Sequence, residues 1–344
     1  MVTEQTLNAP LRGVSAEFGY YPVFCNIETD SFSIRTLPEH ESIVAVVSGD
    51  PNVLNGWIYP GAQQYREFMS GKVCSMPYNA RVFGLPMTHV LTLSEDRNRE
   101  ELDFVVWCLS FFIGMRLTTT EAGFLDATPI QPGRLVDFIL SRCTITDVIE
   151  VALDYLESER GDARVPKRVT AVIHALFLAQ YPQNLSFEKF QYLYMALDAC
   201  FALVEAKEAK EAKEAKEAKE AKEAKEAKEA KDAKKRSIPH AGRVQWMCEK
   251  FGIPVPDWAK NSKMTPSSLS LARNNTFHEA MFFDGPLGFA SYGGNQHSAG
   301  QENIPLQMEA LVCRLLVAIL GKPNSGYVKT SVNTREIHAL ELRG

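Results

Sequence analysis

Arg273, Asn274 and His278 stand in a short polar run, Arg-Asn-Asn-Thr-Phe-His, within an otherwise apolar segment that also carries Leu269, Leu271, Ala272 and Phe277. The segment predicts a helix opened by Thr265-Pro266 and running to about Met281, with Thr as cap and Pro at the first helical position. On a regular α-helix Asn274 and His278, four apart, share a face. Arg273 falls about 140° from His278 at roughly 100° per residue. Its guanidinium therefore reaches the same space only where the helix end is distorted or a second copy faces it. An imidazole titrates near neutrality and can take or give a proton at a ribose 2′-hydroxyl or a leaving 5′-oxygen. An arginine keeps its charge and holds a phosphate through two donors, stabilising the extra negative charge of a pentavalent transition state. Asn274 can orient the ring or the phosphate. No Asp/Glu cluster with metal-ligand spacing accompanies them, so the expectation is chemistry with no metal and no cofactor. The competing reading is a capping or core histidine beside a surface arginine, because so short a pattern also arises by chance.

The clearest basic cluster is Lys234-Lys235-Arg236, followed by His240 and Arg243. It could contact an RNA backbone, or simply close a solvated helix, where cations favour the C-terminal end. The run Gly321-Lys322-Pro323-Asn324-Ser325-Gly326 has the wrong spacing for a phosphate loop and reads as a turn. His40, His89, His174 and His338 lack a partner pattern and read as structural. Net charge is −5, so any nucleic-acid contact must come from a local patch. Seven cysteines without a CxxC spacing argue against a disulfide framework or structural zinc and for a reducing, cytoplasmic setting. The first residues lack a hydrophobic signal core. The apolar runs at 104–115 and 310–320 are too short to span a bilayer, and Arg314 interrupts the second. The expectation is a soluble chain without a membrane partner.

The elements that must position the motif change character along the chain. Residues 18–27 and 42–48 are rich in aromatic and β-branched types and read as strand-like, with turn signals at 49–52 and 59–61 and another strand within 83–93. Helices are predicted at 99–115, 132–142 and 147–159. From about 165 the pattern is helical: 165–180, a stripe from Phe187 to Val204 behind a Ser186 cap, 242–251, the motif helix and 305–320. The tail at 327–342 is expected to hold two short strands.

Residues 205–231 are nine copies of Glu-Ala-Lys, followed by Asp232-Ala233-Lys234. High helix propensity predicts a continuous helix. A period of three winds the alanine row around the axis, leaving no fixed apolar seam for a coiled coil. Such a rod spans about 40 Å at 1.5 Å per residue. The chain after it is barely long enough to return, so the rod is expected to separate the helices on either side or to send the later ones onto another subunit.

The motif and the helix 192–201 before it (YLYMALDACF) resemble the HEPN superfamily, in particular the ApeA-like HEPN domains of bacterial anti-phage defence. The resemblance covers about 165–320 and is specific around Arg273, Asn274 and His278, which match the family's Arg-polar-gap-His pattern with a gap of four. With the residue patterns above it gives an α+β chain: a mixed α/β N-terminal domain at 1–145, to which domain logic and the resemblance assign a sensing or regulatory role, then an all-α bundle at 146–344, which the resemblance makes a nuclease, with the repeat at 205–234 inserted. It further implies a homodimer whose two motifs face each other, metal-free cleavage of single-stranded RNA or tRNA loops to a cyclic phosphate, and a phage-derived trigger. The alternative is a non-catalytic module of the same family that binds RNA or a protein. HEPN toxins held by a nucleotidyltransferase partner carry Tyr two residues after the histidine; Ala280 stands there, so that mode of control is not expected.

Overall fold

The computed structural model describes residues 13–61, 64–75, 84–119, 127–223, 238–262, 266–282, 285–286, 303–334 and 338–343. The chain divides into two compact units, Met1–Val136 with Cys143–Ser158, and Asp137–Arg142 with Glu159–Gly344. Helices and small sheets coexist, as an α+β class requires. The division differs from a single boundary at 145/146 because two short segments change places around it: residues 137–142 belong to the second unit and the helix that follows belongs to the first.

The first unit contains, in chain order, β1 (Ser15–Phe18), β2 (Ile27–Glu28), β3 (Phe32–Thr36), α1 (His40–Ser48), β4 (Val53–Leu54), β5 (Trp57–Ile58), β6 (Gln64–Arg66), β7 (Val73–Ser75), β8 (His89–Leu93), α2 (Arg99–Ile113), β9 (Thr128–Pro129) and α3 (Ile145–Ser158). Strands β1, β8, β3 and β2 form an antiparallel sheet in that order, with Phe18 opposite His89 and Ile34 opposite Leu91. Phe32, Ile34, Leu91 and Leu93 are buried, and α2 packs on β1 and β8. A capping box between Asn98 and Glu101 starts α2, and Gly114 in the left-handed region ends it, a conformation that suits glycine because it has no Cβ. Phe104 of α2 stacks on Tyr155 of α3 at 5.8 Å.

Three expectations fail in and beside this unit, the first at residues 18–27, where only Phe18 ends β1 and Ile27 opens β2 while 20–26 form no strand. Residues 42–48, read as strand-like, lie in α1. His40, Ile43, Val44 and Val47 are its shielded positions, a helical spacing that overrides the β-branched composition, while Val46 is 74% exposed. Residues 132–142, read as a helix, form a turn and a strand. Gly133 adopts φ 78°, Arg134 and Leu135 donate to the Gly114 carbonyl, and β10 (Phe138–Leu140) then pairs within the second unit.

That unit holds α4 (Arg164–Ala179), α5 (Ser186–Glu223), α6 (Arg243–Phe251), α7 (Ser268–Asn274), β11 (Met281–Phe282), β12 (Gly285–Pro286), α8 (Ile304–Ile319) and β13 (His338–Leu340). It is not all-α: β10 and β13 pair in parallel and β11 and β12 pair antiparallel. Of the two strands expected in the tail, β13 is described. The core is helical, with α5 packed against α4 and α8. Phe190, Leu193, Leu197, Phe201 and Val204 of α5 and Met308, Leu311, Val312 and Leu315 of α8 are buried.

Helix α5 continues unbroken from this core into the repeat, 38 residues in all, or about 57 Å at 1.5 Å per residue. The repeat does not keep the flanking helices apart. Helix α6 lies on α5 of the same chain, where Arg243 meets Asp198 at 3.0 Å and Lys250 meets Glu208, in the second repeat unit, at 2.5 Å. The side chains of α6 itself overturn the expectation: Val244, Met247 and Cys248 are buried, so the helix holds an apolar face for the bundle it returns to. Among the described residues no helix is long and apolar enough to cross a membrane.

Candidate active site

Ser267 caps α7 by accepting from the Ser270 amide, two residues after the predicted cap. Leu269 and Ala272 face the core, whereas Leu271 is 47% and Phe277 48% exposed, so the segment is only half apolar-inward. After Asn274 the helix widens into a single π turn, Asn275–Glu279, closed by Ala280 at φ 53°. Thr276 contributes to the widening: its hydroxyl donates to the Ala272 carbonyl at 2.7 Å, a back-bond that bends helices.

The π turn removes the angular mismatch of the sequence. Its repeat is i to i+5, and Arg273 and His278 are five apart. Arg273 Nη1 lies 3.2 Å from His278 Nε2 and donates to Asn274 Oδ1 at 3.1 Å. All three predicted residues are therefore brought together within one chain. A guanidinium has no acceptor, so this contact is a hydrogen bond in the tautomer whose Nε2 accepts and whose proton sits on Nδ1. The Arg273 guanidinium also lies 5.6 Å from the Phe277 ring centre. His278 and Asn274 are exposed and Arg273 is half-buried.

Helix α5 supplies the floor. Tyr194 meets Phe277 edge-on at 6.3 Å, and Phe190 meets Phe282 at 5.4 Å. Burial pushes the Tyr194 hydroxyl above its usual pKa, Asp198 adds to this, and the guanidiniums of Arg273 and Arg243 oppose it. Tyr194 thus lies under the motif and was not assigned a role from sequence, although its segment carries the family resemblance. Its signal was positional: Phe190, Tyr194 and Asp198 recur every four residues along one face. Lys234, Lys235 and Arg236 lie outside the described residues. Among the described residues no group of three or more His, Cys, Asp or Glu is placed to hold a metal ion.

No family model matches the chain, and neither a curated protein nor a solved structure matches it.

Proposed function

We propose that this chain is a metal-independent RNA endonuclease of HEPN type, acting as a cytoplasmic anti-phage effector. The observation that carries the reading is the 3.2 Å approach of Arg273 Nη1 to His278 Nε2 on an exposed π turn. It pairs a fixed cation with an unprotonated imidazole nitrogen where a phosphodiester can reach both. His278 Nε2 takes the proton of a ribose 2′-hydroxyl as that oxygen bonds to phosphorus. Arg273 turns from His278 to the non-bridging oxygens and stabilises the charge gathering there. Asn274 holds the guanidinium. The bond from phosphorus to the 5′-oxygen breaks, that oxygen receives a proton, and a 2′,3′-cyclic phosphate remains. The imidazolium formed at His278 returns its proton to that oxygen; in a homodimer with facing motifs the second copy's ring gives it instead when that ring starts as imidazolium, and the proton taken by His278 restores the balance.

The exposed Phe277 ring beside the motif suits a base splayed from a single strand or a tRNA loop. In this reading the first unit senses a phage-derived trigger and restrains the nuclease.

The test is cleavage of single-stranded RNA and tRNA in EDTA by the purified protein and its His278→Ala variant, with sequencing of the ends. The expected result is cyclic phosphate ends from the wild type and a rate lower by about 10²–10⁴ in the variant. Equal cleavage by the two proteins, or cleavage that EDTA abolishes, would overturn the reading.

A further inference from the structure

One helical turn along α5 from Tyr194, a second polar cluster faces the same side of the unit. Asp198 accepts from Arg243 Nη1 at 3.0 Å, and His240 Nδ1 lies 3.8 Å from the same carboxylate oxygen. The short turn His240–Gly242, which leads into α6, packs on α7, whose last residues are Arg273 and Asn274. Tyr194 links the two clusters, since its hydroxyl feels Arg273 of the motif as well as Arg243 and Asp198. Residues four apart on a helix sit about 5–6 Å apart at Cβ. The spacing from Tyr194 to Asp198 is thus on the scale of a single nucleotide step.

The Arg243 side chain is prepared for more than Asp198. Its guanidinium carbon lies 4.5 Å from the centre of the Phe201 ring, which fixes its plane. Only Nη1 is used by the carboxylate, and Nε is buried without a hydrogen-bond partner. An arginine presents five donors in a rigid fork, so with Nε enclosed it is the terminal nitrogens that can serve a ligand. The His240 side chain is 57% exposed, that of Asp198 37% and that of Arg243 20%, so the cluster opens to solvent through its His240 edge.

We propose that Arg243 and His240 form a second phosphate subsite, which holds the phosphodiester next to the scissile one on a single RNA strand. Asp198 holds Arg243 in register while the site is empty and opposes the incoming anion. This rests on the RNA reading of the Arg273–His278 site and deepens it, because it gives the strand a path along α5 from the π turn toward α6. The two ends of that path use one chemistry, a guanidinium braced by an aromatic ring. Arg273 lies over Phe277 and Arg243 over Phe201.

A purely structural ion pair makes a different prediction. Removing either partner of such a pair harms the fold, so Asp198→Asn and Arg243→Gln would then weaken RNA binding alike. A phosphate subsite gives opposite signs. The experiment uses the full-length His278→Ala protein, which keeps the strand uncut, and measures the affinity for a short single-stranded RNA over a salt series. Arg243→Gln is expected to weaken binding severalfold and to reduce the salt slope by about 0.7, the value for one phosphate contact on a single strand. Asp198→Asn is expected to tighten binding severalfold. His240→Gln changes an exposed side chain that leaves the fold intact, and it should weaken binding in the same direction as Arg243→Gln.

Changes of the same sign for Asp198→Asn and Arg243→Gln, or an unaltered slope in both Arg243→Gln and His240→Gln, would overturn the subsite. Cleavage by the wild type is read separately. If the wild type leaves RNA intact while the signs oppose, the nuclease reading falls and the strand path stands. If it cleaves while the signs agree, the reverse holds.

Discussion

Arg273 and Arg314 lie on helical segments of the same unit, and each reaches a tyrosine and a polar partner. Their surroundings differ in every other respect. Arg314 is 1% exposed. Its Nε donates to the Thr330 carbonyl, Nη2 to Thr330 Oγ1 and the Ser331 carbonyl, and Nη1 to Asp137 and the Ala310 carbonyl, all at 2.8–3.1 Å. Its guanidinium lies 4.6 Å from the Tyr327 ring centre, and Tyr327 in turn donates to Asp137. Every nitrogen of that guanidinium is engaged, as burial of a charge demands. Arg273 gives Nη1 to His278 and Asn274, meets the Tyr194 hydroxyl, leaves a buried Nε unpaired and is itself only half-buried beside a widened turn. A saturated arginine ties strands and helices together, whereas an unsaturated one has donors to give a ligand.

The same substitution separates the two. Arg314→Ala removes a buried guanidinium, leaves the partly buried Asp137 without its cation and strands the carbonyls it held, and should cost about 3–5 kcal/mol of unfolding free energy. Denaturant unfolding followed at equilibrium checks this, and a loss below about 1 kcal/mol would break the comparison. Arg273→Ala should reverse the pattern. RNA cleavage should fall about 10²–10³-fold, as when one transition-state donor is removed. Unfolding free energy should move by about 1 kcal/mol or less, the worth of an exposed cation–π contact.

The contrast was only partly legible in the sequence. Arg314 was visible as a charge interrupting an apolar run, but its partners, Asp137 and Thr330, come from segments that sequence reading made a helix and a strand-bearing tail. Long-range partners leave no local pattern. The motif was legible because residue type and spacing carry its chemistry. The turn that brings its side chains together was not, since a regular helix keeps Arg273 and His278 apart and nothing in local propensity announces five residues per turn. Helices α2, α3, α4 and α8 were legible for the opposite reason: long periodic apolar faces bury themselves wherever the chain goes. Short segments such as 42–48 were misread where composition and periodicity disagreed, and periodicity prevailed.

Near the Arg314 cluster, burial raises the Glu309 carboxyl to about 7, with Asp137 adding to the effect and Gln180 and Lys189 opposing it. Its folded value thus lies above the unfolded one, and between about 4.5 and 7 the native state binds more protons than the unfolded state. This group's contribution to stability is therefore complete at acidic pH and is lost as pH rises through that window. Glu309→Gln should flatten that part of the stability–pH curve and raise stability at pH 8 relative to the wild type. A wild-type curve that climbs over the same window, with the variant parallel to it, would place Glu309 with the freely solvated groups of the exposed site instead.

The smallest effect belongs to the residue that closes the π turn. Helices α2 and α6 both end on a glycine in the left-handed region, Gly114 at φ 68° and Gly252 at φ 64°, whereas the motif ends on Ala280 at φ 53°. A Cβ in that conformation costs about 1–2 kcal/mol. Glycine returns part of this because its unfolded chain is freer, by about 0.5–1 kcal/mol. Ala280→Gly should therefore raise the unfolding free energy by up to about 1 kcal/mol. Strain kept at a polar turn while ordinary helix ends avoid it is the pattern of a functional segment. If the substitution destabilises instead, the alanine methyl is packed rather than strained. The turn would then be held by the same tight fit as the Arg314 cluster, and the distinction between the two regions would narrow.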